Sequence, residues 1–344
     1  MQLHMIPMHD LPVVAAEAQV PPEVVELDEL TYQSWGPPLT LPQYLKRERV
    51  MRAVPFARGL RTWVLRDGKD LQASCESFAV PMVIGGPRHK TPRRGVVHGI
   101  ASVYVEAKLR GRGLARTLLT RMHEHLAGEG ALGCYLMSEI GPTLYAGMGY
   151  VARPLRLCRY AAADPAAERL PSPLPFSWVT EEEVPALLAQ RYRLAVPAVR
   201  IETNPAQIGW HLARGRYYAD VLGRRSSPHV GARCGDAFIL WQPSYPKELL
   251  RVLMLYPGER VFIPGAPITP RSPELEAVRH VLHAARFLAA ELGLGHVEVW
   301  ENASNGAYLR GGARLGGEEL PMLLPFVPEL RGEDWVDYER CHWL

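Results

Sequence analysis

Ser102-Val103-Tyr104-Val105-Glu106-Ala107-Lys108-Leu109-Arg110-Gly111-Arg112-Gly113-Leu114-Ala115 reads as a strand, a turn dense in arginine and glycine, and the start of a helix. A turn that opens a helix presents several backbone N–H groups without intrahelical partners, and the helix dipole adds partial positive charge there. Paired phosphates suit that arrangement. Gly111 and Gly113 let the backbone approach such oxygens with no Cβ in the way. Ala115 keeps the first helical turn small, and Arg110 and Arg112 add charge and donors suited to phosphate. The dinucleotide pattern G-x-G-x-x-G is not met, because position 116 is Arg, and no Gly-Lys-Ser/Thr of a P-loop occurs.

Outward from this turn the chain alternates strands and helices. Thr62–Arg66 and Leu71–Val80 flank Asp67-Gly68, a strong hairpin pair. A basic loop over Gly85–Gly95 leads to a third strand, Val96–Val105. Leu118, Met122 and Leu126, with Leu119 beside them, recur at helical spacing over Leu114–Ala127. Cys134–Met137 reads as a short strand and Gly141–Ala146 as a helix start. Upstream, Thr40 and Pro42 open a helix, and residues 7–22, with four prolines, read as a loosely ordered entry after a short strand at Leu3–Ile6. The order predicts an α/β (α+β) fold with a mixed sheet flanked by helices. Downstream, Ala237–Gln242 and Leu250–Tyr256 (strands), Pro273–Leu292 (a long amphipathic helix) and His296–Trp300 (a strand) repeat the plan loosely, without a glycine-rich turn. Two domains are expected, 1–160 and 176–344, joined by an Ala/Pro-rich linker at 161–175.

Bulk properties exclude several classes. The chain of 344 residues is 47% hydrophobic and 22% charged, with a formal charge of only +3 and no Lys/Arg block, so no nucleic-acid partner is expected. No apolar run of about 18 residues exists, so no membrane partner is expected. The start lacks the layout of a signal peptide. Five irregularly spaced cysteines form neither a disulfide framework nor a zinc pattern; no metal is expected, and a reducing, cytoplasmic setting is.

Arg110-x-x-Gly113-x-Ala115 resembles the pyrophosphate motif of the GNAT superfamily of acyl-CoA N-acyltransferases. Ser138 to Tyr150, with Tyr145 and Gly149-Tyr150, is similar to that superfamily's last motif. Trp35-Gly36, Tyr44–Glu48, Thr62–Leu65, Ala73–Ser77, Val97–Val103, Val297–Trp300 and the stretch from Trp335 to Trp343 resemble the fungal lysine N6-acetyltransferase family of lysine catabolism, with Glu139 where Asp is expected and Leu144 where an aromatic is common. The resemblance implies a GNAT domain followed by a family-specific C-terminal domain; the recurring strand, long helix and strand suggest a degenerate GNAT-like topology for that second domain, which is a candidate wall of the acceptor cleft. It implies acetyl-CoA as cosubstrate, held by Val103, Tyr104, Val105, Arg110, Gly111, Arg112, Gly113, Leu114, Ala115, Ser138 and Tyr145. It also implies that Tyr145 protonates the departing thiolate.

The expected activity is direct acetyl transfer to the amine of lysine or a similar small amine. A non-catalytic acetyl-CoA-binding scaffold and an enzyme for protein amines are the alternatives. The amine must lose a proton to a carboxylate or imidazole. Glu76, His98, Glu106 and Glu139 are the candidates, Glu76 because a bare mid-strand carboxylate points to a cleft. Trp300, Trp335 and Trp343 are expected to pack in a core or between the domains, or to wall the cleft.

Overall fold

A computed structural model of the protein describes residues 1–8, 11–86, 91–192, 199–258, 271–317, 319–333, 335 and 338–343. The expected loop over Gly85–Gly95 lies partly outside them. The chain begins with β1 (Gln2–Pro7), a small hairpin of β2 (Val13–Val14) and β3 (Glu17–Ala18), and the helices α1 (Pro22–Trp35) and α2 (Leu41–Ala53). The region expected to be loose therefore holds ordered elements. Helix α1 went unread because its buried face mixes Val24 and Leu27 with Asp28 and Thr31, which blurs the apolar stripe. At α2, Thr40 caps as expected, its backbone N–H donating to Gln43 Oε1 at 2.8 Å.

The hairpin forms between β4 (Leu60–Asp67) and β5 (Asp70–Ile84), and β6 (Arg93–Val105) pairs antiparallel with β5. Helix α3 (Leu114–Gly128) follows the glycine turn, then β7 (Gly133–Ser138), the short α4 (Thr143–Ala146), β8 (Val151–Ala152) and β9 (Arg156–Ala161). Gly141, at φ 79°, lies before α4 rather than within it. Leu118, Leu119, Met122 and Leu126 of α3 join Trp63, Leu65 and Cys75 in one buried cluster. Each such side chain contributes about 1.5–3 kcal/mol by leaving water.

Residues 162–176 carry neither helix nor strand. Beyond them come β10 (Ser177–Val179), α5 (Val184–Arg191), β11 (Val199–Ile201), α6 (Pro205–Val221), β12 (Gly231–Cys234), β13 (Ala237–Ser244) and β14 (Leu249–Tyr256). The long helix α7 (Ser272–Glu291), β15 (His296–Glu301), β16 (Ala313–Gly316) and β17 (Leu320–Pro325) complete the chain. Asn204 caps α6, accepting from the Gln207 backbone N–H at 2.8 Å. Val278, Val281, Ala285 and Leu288 of α7 pack on Ile239, Val252 and Val297 of the second sheet.

The first sheet runs β1-β4-β5-β6-β7-β17-β8, with β11 paired to β5, and the second runs β10-β12-β13-β14-β15-β9-β16. The fold is mixed α/β, as expected. The two sheets exchange strands: β9 of the earlier half lies between β15 and β16, and β17 of the later half lies between β7 and β8. Helices α2 and α6 bind the halves further, because Arg47 Nη1 donates to the Tyr218 hydroxyl at 2.7 Å and the Tyr217 hydroxyl donates to Gln43 O at 2.5 Å.

Strand β17 is thus an internal strand of a sheet begun by the other half. Met322, 0% exposed within it, joins the α3 cluster, so Met322→Ala should cost about 2–5 kcal/mol in urea denaturation of the whole chain. A fragment of residues 1–160 leaves β7 and β8 without their common partner. By circular dichroism it should show no cooperative urea transition; a cooperative one would mean that β17 is dispensable.

Candidate functional site

The site begins where β6 leaves its neighbours. On the β5 side, Ser74 faces Tyr104 while Glu76 faces Ala101, so β6 carries one residue more than β5 at this point. That bulge puts Ser102 at φ 54°, a left-handed backbone that costs a side-chain-bearing residue about 1–2 kcal/mol. A hydrogen bond from Ser102 Oγ to Glu76 Oε2 at 2.9 Å offsets part of it. On the other side, β6 pairs in parallel with β7 only from Val97 to Gly99. Past Gly99, β7 keeps β17 on its far edge while β6 swings away. A wedge opens between Val103–Val105 and Met137, and it belongs to a cavity of about 770 Å³.

The arginine-glycine turn closes one end of the cavity. Gly111 (φ 81°) and Gly113 (φ 73°) both hold left-handed backbone, and a Cβ on either would meet nothing within 4 Å. The glycines are needed there for conformation and for the open approach they leave. Helix α3 starts at Leu114, and its first backbone bond runs from Thr117 N–H to Gly113 O at 3.0 Å. The amides of Leu114, Ala115 and Arg116 therefore precede the first intrahelical bond. Arg110 Nε donates to Val105 O at 3.1 Å, and Arg116 Nη1 to Gly147 O at 2.9 Å. Both line the cavity, as do Leu114 and Ala115. Arg116, which the motif reading passed over, fastens the start of α3 to the end of α4.

Tyr145 of α4 lines the same cavity at 6% exposure, its ring 5.7 Å from that of Tyr150. Burial, with smaller contributions from Cys75 and Glu139, pushes its phenol up to about 12. It therefore holds its proton at neutral pH.

Beyond the wedge lies a cluster of charges that sequence reading missed. Arg52 grips Asp28 with two hydrogen bonds, 2.6 and 2.8 Å, and reaches Glu76 Oε1 at 3.2 Å. Glu48 stands 3.9 Å from Arg52 and is bound by Arg47. Burial outweighs the guanidinium and pushes the Asp28 carboxyl up to about 6. Both arginines lie on the buried face of α2, as Tyr44 and Met51 do. Charges at Arg47 and Arg52 in a position normally kept for apolar residues were the available clue, together with the i,i+4 pair Glu48–Arg52.

The expected site residues divide clearly. Glu76, Glu139 and Tyr145 line the cavity, Glu139 from an exposed position near its opening, and so do Val103, Tyr104, Val105, Arg110, Gly111, Gly113, Leu114 and Ala115. Four others do not. Ser138 alternates to the opposite side of β7 from Met137, and its hydroxyl donates to Gly141 O at 2.6 Å. Arg112 is exposed and is not part of the cavity lining. Glu106 is taken by Lys108 at 2.8 Å. His98 is buried on β6 below the wedge, and burial, helped by Arg61, brings its pKa down to about 4. Of the tryptophans, Trp343 lines the cavity, while Trp300 and Trp335 pack in a core that residues of both halves share. Among the described residues no cluster of His, Cys, Asp and Glu could hold a metal, and no helix is long and apolar enough to cross a membrane.

Comparison with known proteins agrees with this geometry. The acetyltransferase (GNAT) domain model matches residues 19–152, and the LYC1 GNAT-like C-terminal domain model matches residues 163–312. No curated protein matches the chain. Among solved structures, a conserved protein of Enterococcus faecalis V583, described as a probable N-acyltransferase, is 12% identical, with 96% of this chain and 73% of that chain covered and a TM-score of 0.56. A GCN5-related N-acetyltransferase from Kribbella flavida is 14% identical over 94% of this chain and 72% of that one, with a TM-score of 0.51. Another, from Anabaena variabilis, is 14% identical over 95% and 73%, also with a TM-score of 0.51. At these identities the likeness is one of fold. The later match agrees with the resemblance to the fungal lysine acetyltransferases. With one GNAT-type match in each half, the chain belongs to the GNAT superfamily.

Proposed function

We propose that the protein is an N-acetyltransferase that moves the acetyl group of acetyl-CoA to the amine of lysine or a similar small amine. Residues 1–160 would hold the cosubstrate, 161–175 act as linker, and 176–344 contribute a wall of the acceptor cleft. The observation that carries this reading is that one cavity contains the splayed strand, the glycine turn, the protonated Tyr145 and the carboxylates around Arg52. Acetyl-CoA would supply an activated acetyl group, and CoA would leave as the thiol.

The residues present fit that guest. The turn from Arg110 to Ala115 offers amides at the start of α3 and the guanidiniums of Arg110 and Arg116 for a diphosphate. Val103–Val105 offers β6 backbone that β7 does not pair, able to bond an extended amide chain and to polarise a carbonyl. Tyr145 is positioned to give a proton to sulfur. Glu76, held by Arg52 and Ser102 at the rim of the wedge, is the carboxylate best placed to take the amine's proton, with Glu139 second. Holding both reactants in one cavity supplies much of the rate, because the transfer needs little covalent help.

Gly113→Val should weaken CoA binding by about tenfold or more in calorimetry, since it strains the left-handed turn and fills the diphosphate approach. Unchanged affinity would count against the cofactor placement. Tyr145→Phe should lower kcat about 100-fold with CoA affinity nearly intact. The loss should be similar at neutral and moderately alkaline pH, because the phenol titrates only near 12. Wild-type kcat in that variant would remove Tyr145 as the acid. CoA binding without thiol release across a panel of amines would instead mark an acetyl-CoA-binding scaffold.

A further inference from the structure

Five arginines line the cavity: Arg47, Arg52, Arg110, Arg116 and Arg214. Arg47 and Arg52 are neutralised by Glu48, Asp28 and Glu76. Arg110 and Arg116 stand at the glycine turn, each bonded to a backbone carbonyl. Arg214, from α6 of the later half, differs from all four. Among the described residues no carboxylate lies within ion-pair distance of it and no acceptor takes its N–H groups. Its guanidinium carbon lies 5.7 Å from the Trp210 ring and 5.2 Å from the Trp343 ring. Trp210 precedes it by one turn of the same helix, and Trp343 comes from the far end of the chain.

Contact with two indoles covers the flat faces of a guanidinium and leaves its N–H edge available. A half-buried cation with no partner is expensive to keep. Burial and then the charge of Arg47, with a smaller contribution from Arg340, push its pKa down against the pull of Tyr218 and Glu48. The protein therefore spends stability on a donor fork that it does not fill. The charge around Arg52 is unbalanced in the opposite sense. In direct ion pairs the three carboxylates Asp28, Glu48 and Glu76 meet two guanidiniums, Arg47 and Arg52, while Arg214 acts on Glu48 only from beyond pairing distance. A cavity that holds a carboxylate in excess and a guanidinium in excess, not paired directly with each other, can seat the two ends of a zwitterion.

We propose that Arg214 is the specificity-determining residue for the acceptor: it binds the carboxylate of a free amino acid, whose ammonium group the Asp28–Glu48–Glu76 cluster receives. Carboxylate is the group singled out because its planar, two-oxygen shape matches the exposed edge of a stacked guanidinium. An amine without a carboxylate, or a lysine side chain within a protein, leaves Arg214 unpaired. This inference rests on the acetyl-transfer reading for its chemistry, and its test is built to fail separately.

The test compares wild type, Arg214→Gln and Arg214→Lys. Thiol release from acetyl-CoA gives kcat/KM for lysine, lysinamide, cadaverine and a lysine-containing peptide, and calorimetry gives CoA affinity for each protein. Wild type should prefer lysine to the other three by about 10- to 100-fold, the range of a charge-assisted hydrogen bond. In Arg214→Gln the lysine-to-cadaverine ratio should collapse toward one while CoA affinity holds, and Arg214→Lys should restore part of the ratio. Equal use of lysine and cadaverine by wild type overturns the proposal. So does a ratio that survives in Arg214→Gln, or a peptide preferred to lysine. If no amine is acetylated, the acetyl-transfer reading fails, and lysine and cadaverine binding by calorimetry decides the Arg214 question. Lysine bound by wild type and lost in Arg214→Gln sustains it, and equal binding of the two ligands sinks it.

Discussion

The parting of β6 from β7 governs the rest of the molecule. A sheet normally satisfies its backbone by pairing every strand to both neighbours. Here the parallel ladder ends at Gly99, and the bulge at Ser102 turns β6 outward. Polar backbone is left facing a cavity, a state tolerable only where water or a guest completes the bonding. The surrounding structure is arranged to hold the gap open. Strand β17 fixes the far edge of β7, Ser102 bonds Glu76, and Arg52 ties Glu76 to α1 through Asp28.

That chain of contacts explains why helices with poor apolar character are retained at the site. Removing either partner of a buried pair such as Asp28–Arg52 leaves an uncompensated charge and typically costs 3–5 kcal/mol, although the intact pair adds little net stability. Its value lies in placement. The neighbouring helices α1 and α2 and the strand β5 are held in register beside the wedge. Helix α6 joins them through Tyr217 and Tyr218 and brings Trp210 and Arg214 into the same space.

Much of the earlier half was legible because its cues are local. Gly111 and Gly113 before Leu118, Met122 and Leu126 specify a turn and an amphipathic helix, and Asp67-Gly68 specifies a hairpin. Ser138 could not be placed by strand alternation alone, since Leu136 and Met137 both line the cavity and the Ser138 hydroxyl is instead turned to Gly141 O. Arg112 and Glu106 were read as site residues through proximity in sequence, but a turn scatters neighbours in space. The exchange of β9 and β17 left no local trace, because pairing across more than a hundred residues is decided by tertiary fit. Helix α6 went unread, although Asn204 as cap and Pro205 in the first turn were an available local cue. Arg214 was invisible as a cavity residue without knowing which strands and helices surround it.

The exchange of strands also orders events in time. As the chain leaves the ribosome, β4 to β7 can pair and α3 can collapse onto them, but the edge of β7 stays open until residues 320–325 emerge. Synthesis must reach residue 325 before the first sheet is closed. The nascent earlier half therefore carries an unprotected strand edge until then, the exposure that invites misassociation and chaperone engagement.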